Sequence, residues 1–351
     1  MSERKRTEIA ELGEFGLIDS LTAGFESKCK TTLRGVGDDA AVISLEEGTD
    51  RMLVSTDLML EGIHFDLSYF PLKHLGYKAA MANFSDIYAM NAYPTQLTVS
   101  LGLSKRFSIE DVEEFYAGVL LACQRHGVDL VGGDTSSSLT GLTISLTCIG
   151  MAKEDEITYR NGAKPTDLIC VSGNLGAAYM GLQLLEREKS ILSQNNESGI
   201  DVQPDFAGKE YILQRQLKPE ARRDIIDALK KEGIKPTSMI DLSDEMVSDI
   251  FQICKESGVG CRIFEEKIPI DYETASMAEE FNMNLTTAAL HGGEDYELLF
   301  TVPVNLHEKV NNLKDVKVIG YITDKEEGKT LQTRDGGCFE LKSQAWPTTN
   351  S

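Results

Sequence analysis

Five short stretches of this 351-residue chain share one grammar: an apolar run, then a carboxylate at its end or in a glycine turn. They are GVGDDAAV with Asp38 and Asp39, VSTDLM with Ser55, Thr56 and Asp57, NFSDIYAM with Asp86, VGGDTS with Asp134, and IDLSDEM with Asp241, Ser243 and Asp244. Carboxylate and hydroxyl oxygens are hard ligands of the kind magnesium takes. His and Cys are missing from all five, which disfavours zinc and softer metals. Asp38 and Asp39 pose the question most sharply. Adjacent carboxylates repel, and burying either without a counter-charge is costly. Either they sit in a wet turn or a cation is expected there. Each stretch also has a plainer reading: Asp after Gly is ordinary turn chemistry, and Ser243 or Asp244 can cap the helix that follows. Asp86 is different, because it lies inside an otherwise apolar helix and needs a partner or a cleft.

Other motifs add to this or drop away. Gly35-Val-Gly37-Asp-Asp-Ala40 matches the spacing of a dinucleotide fingerprint, but that fingerprint needs a helix starting at its glycines. Here two acids and the strand-like AVISL follow. No G-x-x-x-x-G-K-[ST] occurs, so there is no P-loop. VSGNLGAAYMG, from 171 to 181, offers a Gly-x-x-Gly turn whose amides can hold an anion or simply let a helix pack tightly on a strand; packing is favoured. In LHGGEDYELLF a glycine turn presents Glu294 either to a cleft or in a polar hairpin. His64, in LEGIHF, is a lone histidine just past the Asp57 strand, and such residues are more often structural.

The elements that must position these residues alternate. RMLVSTD (51–57) reads as a strand ending at Asp57, and LGYKAAMANFSDIYAM (75–90) as a helix with no internal Gly or Pro. QLTVSLGL is a strand. Ser108 opens a helix whose Val112, Phe115, Val119 and Cys123 keep helical spacing and which stops at Gly127. VDLVGGDT is a short strand entering a glycine turn, and LTISLTCIGMA is another strand. The polar KEDEITYRNGAKPTD marks a boundary near 152–165. Beyond it come the strand LICVSG, a helix from Leu175 to Glu188, a surface loop or insertion from about 188 to 210, and a helix around 219–232. TSMIDLS (strand), DEMVSDIFQICKESG (helix), VGCRIF (strand), a helix-rich stretch, the strand-like VKVIGYI and a polar tail complete the chain. This order fits a two-domain α/β protein.

Composition sets the outer limits. A formal net charge of −21 argues against nucleic acid and anionic membrane as partners. No apolar run approaches the roughly 20 residues of a membrane helix. The N-terminal MSERKRTEIAELGEFG lacks the apolar stretch of a signal peptide, so the expected location is the cytoplasm. The 7 cysteines are scattered, without a C-x-x-C pair, and read as reduced core residues.

Taken together, GVGDDAAV, VSTDLMLEGIHF, LGYKAAMANFSDIYAM, VGGDTS, RNGAKPTD, IDLSD and GGEDYELLFTVP resemble, in order and spacing, the motifs of the thiamine-monophosphate kinase family. That family lies within the superfamily of aminoimidazole ribonucleotide synthetase. The resemblance runs from GEFGLI (13–18) to about Trp346. It implies a two-domain α/β (α+β) fold: residues 1–155 an N-terminal domain for ATP, magnesium and dimerisation, and 156–351 a C-terminal α/β domain. It also implies a homodimer whose N-terminal sheets join across the interface into a β-barrel. The implied activity is transfer of the γ-phosphoryl group of ATP to thiamine phosphate, giving thiamine diphosphate. By the same resemblance Asp39, Ser55, Thr56, Asp57, Asp86, Asp134, Asp241 and Asp244 are the magnesium ligands. Tyr116, Gly133, Asp134, Arg160 and Ser243 are nucleotide contacts, and His64, Glu294 and Trp346 contact thiamine phosphate. The chain departs from the family at Glu245, where Gly is usual after SD, in a tail reduced to AWPTTN, and in a longer 188–210 stretch.

The implied chemistry explains the acids. The acceptor is a phosphate monoester, mostly ionised near neutral pH because its second pKa is about 6. No general base is required. The obstacle is repulsion between anions, about 4 kcal/mol for two unit charges about 4 Å apart at an effective dielectric of about 20. Several magnesium ions held by carboxylates would reverse that sign, leaving positioning and charge stabilisation as the catalytic work. Other superfamily members remain rivals. A hydrogenase-maturation relative would end in cysteine, where this sequence reads PTTNS, and a selenophosphate-forming one would carry a reactive Cys near its glycines, from which Cys29 stands apart. A non-enzymatic cation- or nucleotide-binding module would leave Glu294 with no acceptor to meet.

Overall fold

A computed structural model describes residues 30–34, 37–45, 50–198 and 204–343. The first half runs β1 (Thr32–Arg34), β2 (Ala41–Ser44), β3 (Asp50–Leu60), α1 (Leu72–Ala89), β4 (Tyr93–Leu103), α2 (Ile109–His126), β5 (Asp129–Ser137) and β6 (Thr143–Lys153). Its strands form one sheet in the order β1-β2-β3-β6-β4-β5. All neighbours are antiparallel except β4 and β5. The strands alternate: β6 buries Ile144, Leu146, Cys148 and Gly150 on one face, with the residues between them on the other. Helix α1 covers that buried face. It is rich in Ala and Met and is buried almost all round, because it also packs against the second half. Helix α2 begins in a capping box in which the Ser108 hydroxyl accepts from the Asp111 main chain. It ends at Gly127 in the left-handed region, φ 71°.

The second half contains β7 (Leu168–Ser172), α3 (Ala177–Ser198), α4 (Glu210–Leu217), α5 (Arg223–Lys231), β8 (Ser238–Asp241), α6 (Met246–Ser257) and β9 (Gly260–Phe264). It closes with α7 (Tyr272–Glu280), α8 (Leu285–His291), β10 (Leu298–Val302), α9 (His307–Asn311), β11 (Val316–Thr323), β12 (Lys329–Gln332) and β13 (Cys338–Glu340). The sheet order is β13-β12-β9-β11-β7-β10-β8, with only β12 and β9 parallel. Strands β8 and β10 are buried at every residue, as strands covered on both faces are. One apolar cluster joins Phe84 and Ile87 of α1 to Ile226, Met239 and Phe300 of the second half. Helix α1 is therefore the shared wall between the two sheets.

Four expectations change. Strand β3 does not stop at Asp57 but runs to Leu60, paired with β6 throughout. Asp134 lies within the exposed edge strand β5 rather than in a turn. The 188–210 stretch is not a loop at its start: α3 continues to Ser198, with Lys189 bridging Asp66 at 2.6 Å. The polar tail carries the paired strands β12 and β13. The cysteines among the described residues are free, and all but Cys338 are buried. Among the described residues no helix is long and apolar enough to cross a membrane.

Candidate active site

Strand alternation sorts the first acidic stretch. Ser55 and Asp57 share one face of β3, where the Ser55 hydroxyl donates to Asp86 on α1. Thr56 points to the opposite face, its hydroxyl donating to the Leu146 carbonyl at 2.9 Å. Because α1 also lies against β8, Asp86 meets Asp241 at the end of that strand. One carboxylate oxygen from each of Asp39, Asp86 and Asp241 lies within 4.8 Å of the other two. Residues 202 positions apart in sequence thus share one small volume.

Burial and mutual repulsion leave these groups reluctant to ionise. Burial, then the facing Asp244, pushes Asp57 up to about 6. Asp86 is driven well above the usual carboxylate range by burial and by Asp57, Asp241 and Asp39; Asp241 is raised by burial and by Asp39. Asp244 is raised too, chiefly by burial. Asp57, Asp241 and Asp249 each keep a buried carboxylate oxygen with no hydrogen-bond partner. Carboxylate oxygens of this kind are hard and unsatisfied, and a bound cation would favour their ionised form, so the donor set fits magnesium.

Asp38 and Asp39 have different fates. Asp38 turns to Arg34 and accepts the Arg160 main-chain N–H at 2.7 Å. Asp39 faces the cluster and takes the Arg160 guanidinium in two bonds, 3.1 Å from Nε and 3.0 Å from Nη2. A bidentate arginine is the protein's own counter-charge at the spot where a metal ion would compete for Asp39.

The second glycine turn is fastened to the cluster. Gly293 has φ +74°, and a Cβ there would lie 2.0 Å from the Asp244 carbonyl oxygen, so only glycine fits. The Glu294 N–H donates to the Ser243 carbonyl at 2.8 Å, and the Tyr296 N–H to that of Leu242 at 2.9 Å. Glu294 itself sits at φ +57°, an unusual conformation for a non-glycine residue. Its Oε1 is 3.0 Å from Lys78 Nζ and its Oε2 accepts from Gln216 Nε2 at 3.1 Å. The plainer readings of Ser243 and Asp244 fail, since α6 starts behind Glu245 with no side-chain cap. At Glu245 the backbone is extended, φ −124° and ψ 137°, so no glycine is required.

The remaining sequence candidates lie further out. The exposed His64 ring accepts the Leu60 N–H on Nδ1 at 2.9 Å, which leaves Nε2 to face outward. Tyr116 lines a mainly apolar hollow of about 420 Å³ with Leu103, Phe107, Ile109 and Val112. Gly133 approaches β4 so closely that a Cβ would lie 1.9 Å from the Val99 carbonyl oxygen. The Asp134 carboxylate is exposed and accepts the Thr135 N–H at 2.9 Å. Trp346 lies outside the described residues. The amides of the Gly-x-x-Gly turn do hold an anion, but one the chain supplies: Gly176 and Ala178 at the start of α3 donate to the Asp295 carboxylate, at 2.7 and 3.4 Å.

Three residues at the site escaped the sequence reading. Asp249, on the first turn of α6, is 2% exposed and is pushed up by burial and by Asp244 and Asp241. Its signal was the one that singled out Asp86, an acid inside an apolar helix. Lys78 is the basic counterpart, a lysine in the Ala- and Met-rich α1, and it is fully buried. Gln216, on α4, carries no pattern that marks it.

Comparison with known proteins gives a consistent set of neighbours. A family model described as "AIR synthase related protein, N-terminal domain" matches residues 37–152. A thiamine-monophosphate kinase of Aquifex aeolicus is 34% identical over 330 residues, covering 93% of this chain and 98% of that one. Its Bacillus subtilis counterpart is 30% identical over 343 residues, covering 95% and 99%. A solved structure described as AaThiL complexed with AMPPCP and TMP superposes with a TM-score of 0.81 at 33% identity, covering 98% of this chain and 99% of that one.

Proposed function

The chain belongs to the thiamine-monophosphate kinase family, and on that premise we propose that it carries out direct, in-line transfer of the γ-phosphoryl group of ATP to thiamine phosphate with several magnesium ions bound. It is an enzyme of that family, a phosphotransferase that uses ATP to phosphorylate thiamine phosphate. The single observation that carries the mechanistic part is the convergence of Asp39, Asp86 and Asp241. Asp57 and Asp244 adjoin that trio and would complete the metal-holding set with Ser55 and, from further out on the exposed β5, Asp134; Thr56 could join only through its main chain, since its hydroxyl faces the other side of β3. When bound, magnesium would neutralise the charge of the donor and acceptor phosphates and so remove their repulsion.

The chain's own residues do the rest. Arg160 stands where it can exchange Asp39 for a phosphate oxygen, keeping its charge throughout. Tyr116 and the apolar hollow around it suit the flat face of a purine, with Gly133 and Ser243 as further nucleotide contacts. Glu294 and His64 would hold thiamine phosphate, His64 through its outward Nε2–H, and Trp346 would add a face for the cationic ring. An acceptor that is already ionised calls for no general base.

The fold divides functionally between residues 1–155 and 156–351 in this reading, with α1 as the wall against which the phosphates meet. The exposed edge strand β5 and the exposed Leu58 and Val131 support a homodimer in which the first sheets of two copies close into a barrel. The acidic net charge suits a cytoplasmic enzyme. The deciding assay incubates the pure folded protein with ATP, magnesium chloride and thiamine phosphate and follows thiamine diphosphate by chromatography. Formation of product that requires all three supports the reading; ATP consumption without thiamine diphosphate sinks it.

A further inference from the structure

Glu294 is not a free carboxylate. Lys78 Nζ, wholly buried, lies 3.0 Å from its Oε1, donates to the Gln216 carbonyl at 3.1 Å and stands 5.5 Å from the centre of the Phe70 ring. Gln216, itself 2% exposed, donates its side-chain amide to the other Glu294 oxygen. The ammonium is fully buried and, among the described residues, has no other carboxylate partner, so its charge is committed to Glu294. A counter-ion that is already neutralised gains little from a second cation, because the new attraction is offset by repulsion from the first. What Glu294 retains is acceptor capacity, since each carboxylate oxygen has lone pairs to spare after one bond.

We propose that Lys78 is a positioning residue that makes Glu294 a hydrogen-bond acceptor for the neutral amine-bearing end of the substrate rather than a counter-charge for its cationic ring. This deepens the reading above and rests on Glu294 touching thiamine phosphate. Helix geometry agrees with it. Lys78 and Asp86 lie eight residues apart on α1, about 12 Å along the axis. That is about the length of thiamine phosphate from its aminopyrimidine to its phosphate. One rigid helix thus sets both ends of the substrate: Asp86 at the phosphate, and Lys78, through Glu294, at the amine. The strained φ of Glu294 fits the same role, since a carboxylate held from two sides and from its own backbone has one orientation to offer.

The test compares Lys78→Met, Glu294→Gln and the double variant, using thiamine phosphate and the analogue in which oxygen replaces the pyrimidine amine. Lys78→Met is expected to raise the KM for thiamine phosphate about tenfold or more, leaving kcat and the KM for ATP within about threefold. Glu294→Gln should weaken thiamine phosphate similarly and relax discrimination against the oxygen analogue, because a glutamine amide can donate as well as accept. The double variant should be no worse than either single change, and better folded than Lys78→Met alone, because no carboxylate is left stranded. That keeps the test open should the single lysine variant misfold. A lower KM in Lys78→Met would mean that Glu294 serves as a counter-charge, and strictly additive effects would mean that the two residues act apart; either overturns the proposal. If Glu294→Gln is impaired while Lys78→Met is not, Lys78 has no such role although Glu294 still touches substrate. If Glu294→Gln leaves both substrates unaffected, the underlying contact fails and the proposal falls with it.

Discussion

Two groups of buried carboxylates in this chain are built in opposite ways. Glu297, at the start of the segment leading into β10, is clamped by Arg215 at 2.9 Å and by Arg222, and also accepts from the Ser172 hydroxyl. Its neighbour Asp295 caps α3 and has Arg215 nearby. At Glu297 burial is met by counter-charge from two arginines; Asp295, with Arg215 only at 3.7 Å, is still pushed up to about 6 by burial, although both of its oxygens accept backbone N–H bonds. A few residues away, Asp57, Asp86, Asp241, Asp244 and Asp249 crowd together with Arg160 as the cation that faces them, and some of their oxygens have no partner at all. Burial is thus not what distinguishes a functional acid here, since both groups are buried. The difference is whether the protein supplies the compensating charge itself or leaves the deficit for something that arrives with the substrate.

That contrast predicts opposite responses to equally small changes. If the cluster holds magnesium as proposed, Asp86→Asn should lower turnover by roughly 10³-fold or more while the protein stays folded, because it removes one of the metal-holding charges. Its thermal midpoint without ligands should be unchanged or higher. Glu297→Gln should do the reverse. It removes the carboxylate that Arg215 and Arg222 share, leaving them Asp295 and Asp224 as partners, and should cost about 3 kcal/mol of stability, read by denaturant unfolding. If Asp86→Asn unfolds the protein and Glu297→Gln does not, the two groups have been assigned the wrong way round.

The pH dependence sharpens the same contrast. Asp57 is pushed up to about 6 in the folded protein, against an ordinary value near 4. A carboxyl whose folded pKa is raised destabilises the protein above that pKa, and the penalty vanishes as pH falls below the unfolded value. Burial drives His126 down to about 4, which works in the opposite sense over the same range, so total stability is a poor readout. The difference between Asp57→Asn and the unsubstituted protein isolates the group. Without metal, the variant should be more stable by about 3 kcal/mol at pH 7, with the gap closing as pH drops from about 6 to about 4. A gap that stays constant with pH would mean that Asp57 is not the titrating group. Asp249→Asn should have a smaller effect on activity: about a tenfold higher magnesium concentration for half-maximal rate, as expected of a group that supports ligands from behind.

Much of this arrangement was legible in the sequence because its signals are local. Ser108 and Gly127 bound α2 by their own chemistry, and Asp86 stood out against an apolar helix. What escaped depended on tertiary context. The start of the 188–210 stretch reads as loop because it is polar, yet no glycine or proline interrupts it before Gly199, and that absence was the better guide. Asp57 and Asp134 were expected at a strand end and in a turn, the usual places for ligands of parallel sheets. In these largely antiparallel sheets Asp57 instead lies in the middle of β3, where alternation and the lie of α1 decide what it meets. Lys78 could not be paired with Glu294 from sequence, because the contact spans more than 200 residues and depends on α1 being shared by both halves.

The mildest expectation concerns Glu245, where the family usually has glycine. A glycine is indispensable only where φ is positive or where a Cβ would clash, as at Gly293 one turn away in space. At Glu245 the backbone is extended, and the side chain reaches the Ser343 hydroxyl at 3.2 Å and His291 Nδ1 at 3.4 Å. Restoring glycine by Glu245→Gly therefore offers no conformational relief. It frees the unfolded chain and should cost about 0.5–1 kcal/mol, while turnover and both KM values stay within about twofold. A large gain in rate would show that Glu245 obstructs the turn carrying Ser243 and Asp244.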